Sequence, residues 1–214
     1  MIHGEETVSG STFTESSPVA KTVTKYGNAV QSTAQYKFGS KSWYFDGSGS
    51  YLSLPDSSDF DFGTGSFTLD FWYYPLSNPV AGGYLVIGDG EYWDINNIAI
   101  RNANTYIGAI VGDGSTSKLI VAPSNPSVSN WHHVALVWDK TGNTMYFFID
   151  GSSQGTLGIS GSSVYNTASG LSIGRYGQAG GTFYYANAYI DEVRVSKGVA
   201  RWTSGFSVPT SPYG

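Results

Sequence analysis

The sequence predicts an all-β fold, on the evidence of its composition, a two-residue hydrophobic period and closely spaced turns. Among its 214 residues, 13% are charged, 15% are aromatic, and 28 are Gly. An ordinary domain is about 25% charged, and a Gly costs about 1 kcal/mol at a helical position. The composition therefore disfavours a helical bundle, whose exposed helix surfaces would carry more Glu, Lys and Arg.

The two-residue period is clearest in residues 66–74, which stop at Pro75. Alternate positions in this segment place one set of apolar side chains on a single face: Phe67, Leu69, Phe71 and Tyr73. The other face carries Thr, Asp, Trp and Tyr, so we predict a strand with both faces at least partly covered.

Two β-hairpins are predicted from pairs of such segments. Residues 131–139 and 144–150 flank a Lys-Thr-Gly-Asn turn, which is typical of a hairpin. Residues 42–46 and 51–54 flank a Gly-Ser-Gly turn and predict a second hairpin in the same way.

Shorter strands follow at regular intervals, in residues 84–87, 97–101, 105–111, 117–121, 171–175 and 189–195. Turn residues interrupt the chain roughly every 8 to 12 positions, a spacing typical of a sandwich or a barrel. We predict one domain over residues 1–214, with an extended surface tail from about 206 to 214. One helical turn is expected, near residues 57–60 or 199–202.

Charge and composition exclude several kinds of partner. The net charge is −5 and the sequence has no basic run, so a nucleic-acid surface is not expected. No stretch approaches the roughly 18 apolar residues of a membrane span, and no signal peptide is visible. The absence of Cys excludes disulfides, thiolate catalysis and Cys-ligated zinc. The compartment stays open: the cytosol, a particle assembled inside a cell, or a longer secreted protein.

The segment 89–94 combines carboxylates with aromatic rings. If it is extended, Asp89 and Glu91 lie about 7 Å apart on one face, within the spacing used by inverting glycosidases. Its carboxylates also suit Ca²⁺, and Tyr92 and Trp93 could stack on a sugar ring. The favoured interpretation is a solvated loop with an aromatic folded onto the core; ligand or cation contact and catalysis are the alternatives.

Charged residues inside predicted strands need partners. His132 and His133 are adjacent and point to opposite faces, so they cannot chelate one ion together. Asp191 lies within the last strand and requires a cation or backbone donors. With regular pairing, Arg194 shares a face with Glu192. Aromatic residues in Gly-rich and Ser-rich segments predict a binding rim, with core packing as the favoured alternative: Tyr165, Tyr176, Phe183, Tyr184, Tyr185 and Trp202.

Six blocks of the sequence resemble a known family: residues 43–52, 65–72, 131–138, 148–151, 171–174 and 189–195. In this order they are similar to the laminin-G-like, concanavalin A-like lectin/glucanase superfamily, and the resemblance extends from about Thr7 to Val208. It implies a two-sheet antiparallel jelly-roll sandwich with one concave and one convex sheet. Glycan binding on the concave face or the loop rim is implied with it.

The resemblance also bears on metals and catalysis. It implies a structural Ca²⁺ on the convex side, with Asp191 matching the Asp of the last strand and carbonyls near Gly47 as partners. Laminarinases of this superfamily carry a Glu-x-Asp-x-x-Glu strand, and the nearest run here, residues 91–96, lacks both the spacing and the second Glu. We therefore predict that the protein is not an enzyme.

The expected function is a non-catalytic carbohydrate-binding or adhesion module that recognises a glycan or polysaccharide. The candidate ligand contacts are Tyr92, Trp93, Asp94, Tyr176 and Tyr184. Residues 191–202 resemble variants of this domain in marine bacterial and bacteriophage proteins, which implies a virion-surface or extracellular location, other virion proteins as partners, and oligomers. The alternatives are a virion decoration or tail-associated protein without glycan binding, and a glycoside hydrolase.

Overall fold

The computed structural model describes residues 1–78, 98–103, 105–165, 170–178 and 182–214. The first strands along the chain are β1 (Thr12–Thr14), β2 (Thr22–Tyr26), β3 (Val30–Ser32), β4 (Ser42–Asp46), β5 (Tyr51–Leu54) and β6 (Phe67–Pro75). A 3₁₀ turn, Ser58–Phe60, precedes β6 and confirms the predicted helical turn at the first of its two candidate positions. The predicted strand at residues 84–87 and the segment 89–94 lie outside the described residues.

The remaining strands begin after residue 97. They are β7 (Ile98–Asn102), β8 (Ile107–Gly112), β9 (Ser117–Val121), β10 (His132–Asp139), β11 (Thr144–Ile149), β12 (Ser152–Gly158), β13 (Leu171–Ile173), β14 (Arg175–Gln178), β15 (Thr182–Tyr185) and β16 (Asn187–Lys197).

Two antiparallel sheets enclose the main core. The larger has seven strands in the order β12-β11-β10-β6-β16-β4-β3, and the smaller has four in the order β1-β2-β5-β13. Their facing side chains form one continuous apolar cluster. Strands β7-β8-β9 and the hairpin β14-β15 form two further small sheets. The predicted all-β, two-sheet antiparallel sandwich is confirmed.

Strand β6 is central to the larger sheet and follows the predicted alternation. Phe67, Leu69, Phe71 and Tyr73 all lie in the main core and are at most 3% exposed. Burying such side chains contributes about 1.5–3 kcal/mol each. The predicted hairpin is also confirmed, because β10 and β11 pair in register from Val134 opposite Ile149 to Asp139 opposite Thr144.

The predicted hairpin between β4 and β5 is wrong. Strand β4 pairs with β3 and β16 in the larger sheet, whereas β5 pairs with β2 and β13 in the smaller one. Gly47 and Gly49, with φ of 76° and 85°, turn the chain from one sheet to the other. The crossing lets Trp43 of β4 and Leu52 of β5 enter the same core from opposite sides.

The chain after β16 covers part of the outer face of the seven-stranded sheet. Trp202 stacks on Phe206, with ring centroids 4.0 Å apart, and Phe206 contacts Phe148 at 5.3 Å. Tyr213 is only 7% exposed. The tail from residue 206 forms no helix or strand and packs on the sheet through Phe206 and Tyr213, and residues 199–202 form no helical turn.

Candidate functional site

A row of aromatic side chains crosses the part of the same outer face that the described residues after β16 leave uncovered. Tyr44 of β4 lies directly opposite Tyr189 of β16, which lies opposite Tyr74 of β6. The ring centroids are 5.0 Å apart in the first pair and 5.9 Å in the second. Trp131, just before β10, continues the line at 5.5 Å from Tyr74. These four residues are named the aromatic row; all are half-buried, and the exposed Val30 pairs with Tyr44 at its end.

Strand alternation explains why these rings point outward. In β6, Tyr73 points into the core and its hydroxyl contacts the Asn102 amide nitrogen at 2.9 Å, so Tyr74 must point the other way. In β16, Ala188 and Ile190 are both in the core, which turns Tyr189 outward. Outward positions of a sheet are usually polar. Four adjacent aromatic side chains there are an informative exception, because they are not needed to fill the core.

Polar groups border the row where β4 ends. Asn187, two residues before Tyr189, lies opposite Asp46. The Asn28 amide donates to Asp46 Oδ2 at 2.8 Å, and the Ser50 hydroxyl donates to Asp46 Oδ1 at 2.6 Å. Burial opposes ionisation of Asp46, but these hydrogen bonds outweigh it and hold its pKa below the usual value. This edge therefore presents an ionised carboxylate and two amides beside the rings.

An ion pair positions the other end of the row. His132 Nδ1 lies 2.7 Å from Asp150 Oδ2, and its Nε2 lies 3.0 Å from the Ser127 carbonyl oxygen. Desolvation lowers the pKa of His132, but the hydrogen bond and charge of Asp150 outweigh it, so the net shift is upward. Because His132 directly follows Trp131, this pair restrains the backbone that carries the last ring of the row.

The covered half of the face holds a buried charge network. Arg194 donates from Nε and Nη2 to the two oxygens of Asp70, at 3.0 and 2.8 Å. His133 Nε2 lies 3.2 Å from Asp70 Oδ2 and 3.0 Å from the Tyr213 hydroxyl. The side chains of Asp70 and His133 are fully buried. This network is structural, because substrate has no access to it. Asp70 and His133 therefore do not form a catalytic pair.

The predicted ligand contacts divide into two groups. Tyr92, Trp93 and Asp94 lie outside the described residues. Tyr176 and Tyr184 are brought together, directly opposite each other in the β14–β15 hairpin. The Tyr176 ring is only 2% exposed and packs in a small cluster, with Tyr184 half-buried beside it. Of the two, Tyr184 is the more accessible, and ligand contact by either stays a prediction.

Asp191 and Gly47 do not come together. Gly47 follows Asp46, which lies opposite Asn187, so the pairing places Asp191 at least four residues, or about 13 Å, further along β16. Asp191 instead accepts backbone N–H bonds from Lys37 at 3.0 Å, from Phe38 at 3.3 Å and from Glu192 at 3.0 Å. Three N–H dipoles aimed at one buried carboxylate oppose a cation. These residues therefore do not fit a shared Ca²⁺ site, and no group of three acidic or His side chains suited to a metal occurs in the described ranges.

A β-bulge in β16, directly after Asp191, changes which residues of β16 lie opposite β6. Between Asp191 and Arg194 the pairing of β16 with β6 shifts, and Glu192 has a φ of 54°. Arg194 consequently faces Asp70, and Glu192 turns to His3, whose Nδ1 lies 2.7 Å from its Oε1. The predicted shared face of Arg194 and Glu192 assumed regular pairing, which the bulge interrupts. Both side chains nevertheless contact Tyr213: its N–H donates to Glu192 Oε2 at 2.6 Å, and its ring centroid lies 3.6 Å from the Arg194 guanidinium carbon. Burial raises the pKa of Asp191 to about 6.

The aromatic row was not predicted from the sequence. Tyr74 was recognisable as outward-facing, but its neighbours in space, Trp131 and Tyr189, come from parts of the chain that lie far from it in sequence. The available signal was an aromatic residue at an outward position in three separate predicted strands: Tyr44, Tyr74 and Tyr189.

Comparison with known families identifies the class of fold. Residues 46–203 match the family described as the Concanavalin A-like lectin/glucanases superfamily. The match covers most of the chain, and the protein belongs to this superfamily. A comparison with curated protein sequences finds no match. No helix in the described part of the chain has the length and apolar character needed to cross a membrane.

Solved structures with the same fold include several binding domains. The binding domain of Paraclostridial Mosquitocidal Protein 1 superposes with a TM-score of 0.68 at 14% identity, over 90% of this chain and 48% of that one. The botulinum neurotoxin serotype G binding domain gives 0.65 at 13%, over 87% and 46%. The CBM40 of Ruminococcus gnavus IT-sialidase, bound to α2,3-sialyllactose, gives 0.53 at 16%, over 65% and 78%. The chain thus spans about half the length of the two toxin domains, and these low identities establish the fold alone.

Proposed function

We propose that the protein is a non-catalytic carbohydrate-binding module and that the aromatic row is its sugar platform. The observation that carries this proposal is the direct cross-strand opposition of Tyr44, Tyr189 and Tyr74 on the uncovered part of the outer face. An aromatic ring offers a large flat surface against which the apolar face of a sugar can pack.

The row is suited to binding because it is already ordered. Its rings come from hydrogen-bonded strands and contact one another, so little side-chain freedom is lost when a ligand binds. Asp46, Asn28 and Asn187 supply acceptors and donors for sugar hydroxyls at one edge. Apolar stacking with a few polar groups alongside is the usual composition of a small-ligand site.

The structural relatives support the same proposal. One is described as bound to α2,3-sialyllactose, and the cell entry of botulinum neurotoxin type C is described as dependent on two ganglioside molecules. The relatives named above are described as binding domains, which supports a non-catalytic role. We retain Tyr92, Trp93, Asp94 and Tyr184 as proposed additional contacts, and an extracellular or virion-surface location as part of the proposal.

A binding titration with paired variants tests the platform. The protein is titrated with a panel of soluble neutral and acidic polysaccharides, and the double variant Tyr44→Ala/Tyr189→Ala is compared with Tyr146→Ala, a half-buried tyrosine elsewhere on the outer face. We expect binding by the double variant to weaken at least about tenfold, or ~1.4 kcal/mol, with Tyr146→Ala unchanged. Unaltered binding by the double variant would remove the row from the site, and a wild-type protein that binds no glycan would exclude the function.

A further inference from the structure

A positively charged side chain lies among aromatic rings where the four-stranded sheet meets the β14–β15 hairpin. The guanidinium carbon of Arg175 is 4.1 Å from the Tyr51 ring centroid and 4.9 Å from that of Phe183. Tyr51 stacks on Tyr26 at 4.4 Å with the two planes 2° apart, and lies 6.3 Å from Tyr185. These five residues are named the Arg175 cluster.

The strands fix this arrangement. Tyr26 and Tyr51 are directly opposite each other in β2 and β5, and Arg175 is opposite Tyr185 in the hairpin. Gly174, with a φ of 88°, turns the chain from β13 into β14. A side chain at Gly174 would lie 2.7 Å from the Phe45 ring. The cluster is therefore held by backbone pairing and by a turn that requires glycine.

Arg175 has no ion-pair partner among the described residues, whereas two other cations do. Lys21 pairs with Asp59 and Arg194 pairs with Asp70. Within the described residues, no carboxylate and no hydrogen-bond acceptor lies within bonding distance of the Arg175 guanidinium, whose contacts are with ring faces. A guanidinium carries five N–H donors in one plane and fits a carboxylate or similar anion through two parallel hydrogen bonds.

We infer that the Arg175 cluster binds an acidic sugar residue, whose carboxylate or sulfate group pairs with Arg175 while the sugar ring packs against the tyrosines. Tyr26 is 43% exposed and offers the accessible ring for this packing. The overall charge of −5 repels anions at long range, so attraction must come from a local cation. This inference rests on the proposed carbohydrate binding and names the class of sugar.

The cluster and the aromatic row are joined by short connections but face away from each other. Leu52 and Leu54 of β5 lie in the core, so Tyr51 points outward from the smaller sheet, whereas the row lies on the outer face of the larger one. Tyr185 ends β15 and Tyr189 lies in β16, so four residues, spanning at most about 14 Å, separate their backbones along the chain. Asp46 ends β4 and Tyr51 begins β5 on the same connection. The cluster is therefore a site separate from the row.

The test is a titration of the whole chain with polygalacturonate, dextran sulfate, neutral dextran and inorganic sulfate. We expect Arg175→Gln to weaken binding of the acidic polymers at least about tenfold and leave that of dextran unchanged, with partial recovery in Arg175→Lys. Raising NaCl from about 50 to about 500 mM should weaken acidic binding by wild type more than by Arg175→Gln. The two acidic polymers show whether a carboxylate or a sulfate is preferred. Thermal unfolding of both Arg175 variants controls for folding.

Several outcomes would overturn the inference, and they separate it from the proposed function. If Arg175→Gln binds the acidic polymers like wild type, or wild type binds dextran equally well, the inference is wrong and the carbohydrate-binding proposal stands. If inorganic sulfate competes as well as dextran sulfate per sulfate group, the cluster recognises the anion and not the sugar. Loss of acidic binding in Arg175→Gln with full retention in Tyr189→Ala would support the cluster and show that the row does not contribute to acidic binding. Absence of all glycan binding would exclude both.

Discussion

The outer face of the seven-stranded sheet is divided into two halves that share strands but differ in their surroundings. In the covered half, the chain after β16 lies over Asp70, Arg194 and His133, where the Asp70 carboxylate binds the Arg194 guanidinium and His133 Nε2. In the uncovered half, the same strands present Tyr74 and Tyr189 to solvent. A buried polar group that bonds to another protein group indicates a structural role. An ordered aromatic surface that the described residues leave open to solvent indicates a binding role.

The largest effect should come from the covered half. Asp70→Asn removes the charge that compensates the buried side of Arg194, so we expect the free energy of unfolding to fall by about 3–5 kcal/mol. Urea unfolding of the variant and the wild type measures this loss. The matched control is Asp59→Asn, because Asp59 pairs with Lys21 at a half-exposed site and should change stability by about 1 kcal/mol or less. Equal effects of the two substitutions would show that the covered network is not important for stability.

The second-largest loss of stability should come from disturbing the contact between Gly151 and the chain after β16. Gly151 has a φ of 73°, and a Cβ there would lie 1.9 Å from the Phe206 carbonyl oxygen. Gly161 has a φ of 76° with nothing within 4 Å of that position. Gly161→Ala should cost about 1–2 kcal/mol from backbone strain alone, and Gly151→Ala should cost more because the tail must shift. Thermal unfolding of the two variants measures both losses of stability. Equal losses would show that attachment of the tail does not depend on the contact between Gly151 and Phe206.

A smaller change in stability is expected in the uncovered half. Tyr74→Ala should lower the unfolding free energy by about 1 kcal/mol while weakening glycan binding, since its ring lies outside the core. Tyr73→Ala, one residue earlier, removes a ring that is 3% exposed and should cost about 3–5 kcal/mol. Glycan binding and urea unfolding are measured for both variants. If Tyr74→Ala is destabilised as much as Tyr73→Ala, the assignment of Tyr74 to a binding surface outside the core is contradicted.

The smallest effect is a pH dependence at the end of the row. The pKa of His132 is raised in the folded protein, mainly by Asp150 against the effect of burial. Its contribution to stability is therefore complete below the unfolded pKa of about 6.5 and is lost as pH rises through the folded value. We expect less than about 1 kcal/mol, because Asp150 is half-exposed. His132→Gln should flatten the pH profile of unfolding above pH ~6.5, and an unchanged profile would contradict this assignment.

Local patterns were sufficient for part of the fold. Strand β6 and the β10–β11 hairpin were predictable because alternation and a four-residue turn are both local signals. The β4–β5 connection was misjudged because a Gly-Ser-Gly turn looks the same whether the flanking strands pair or change sheets. Strands β1 to β3 were missed, since they are short and carry mixed polar and apolar residues.

The candidate site could be predicted less well, because it depends on register between distant strands. Asp191 was expected to need a cation or backbone donors, and its donors come from Lys37 and Phe38, about 150 positions earlier. The bulge at Glu192 redirected Arg194 to Asp70, a change that no local pattern indicates. The register between strands that are distant along the chain could not be predicted from this one sequence.

The aromatic row runs across the strands, with its ring centroids 5.0–5.9 Å apart. The strands that carry the rings are about 4.7–4.9 Å apart in any sheet. That distance is maintained by main-chain hydrogen bonds, and no change of side chain can stretch or compress it. Substitutions can change which side chains occupy these positions, but the spacing of the strands stays the same. A polymer that binds along the row must therefore have a repeat compatible with that spacing.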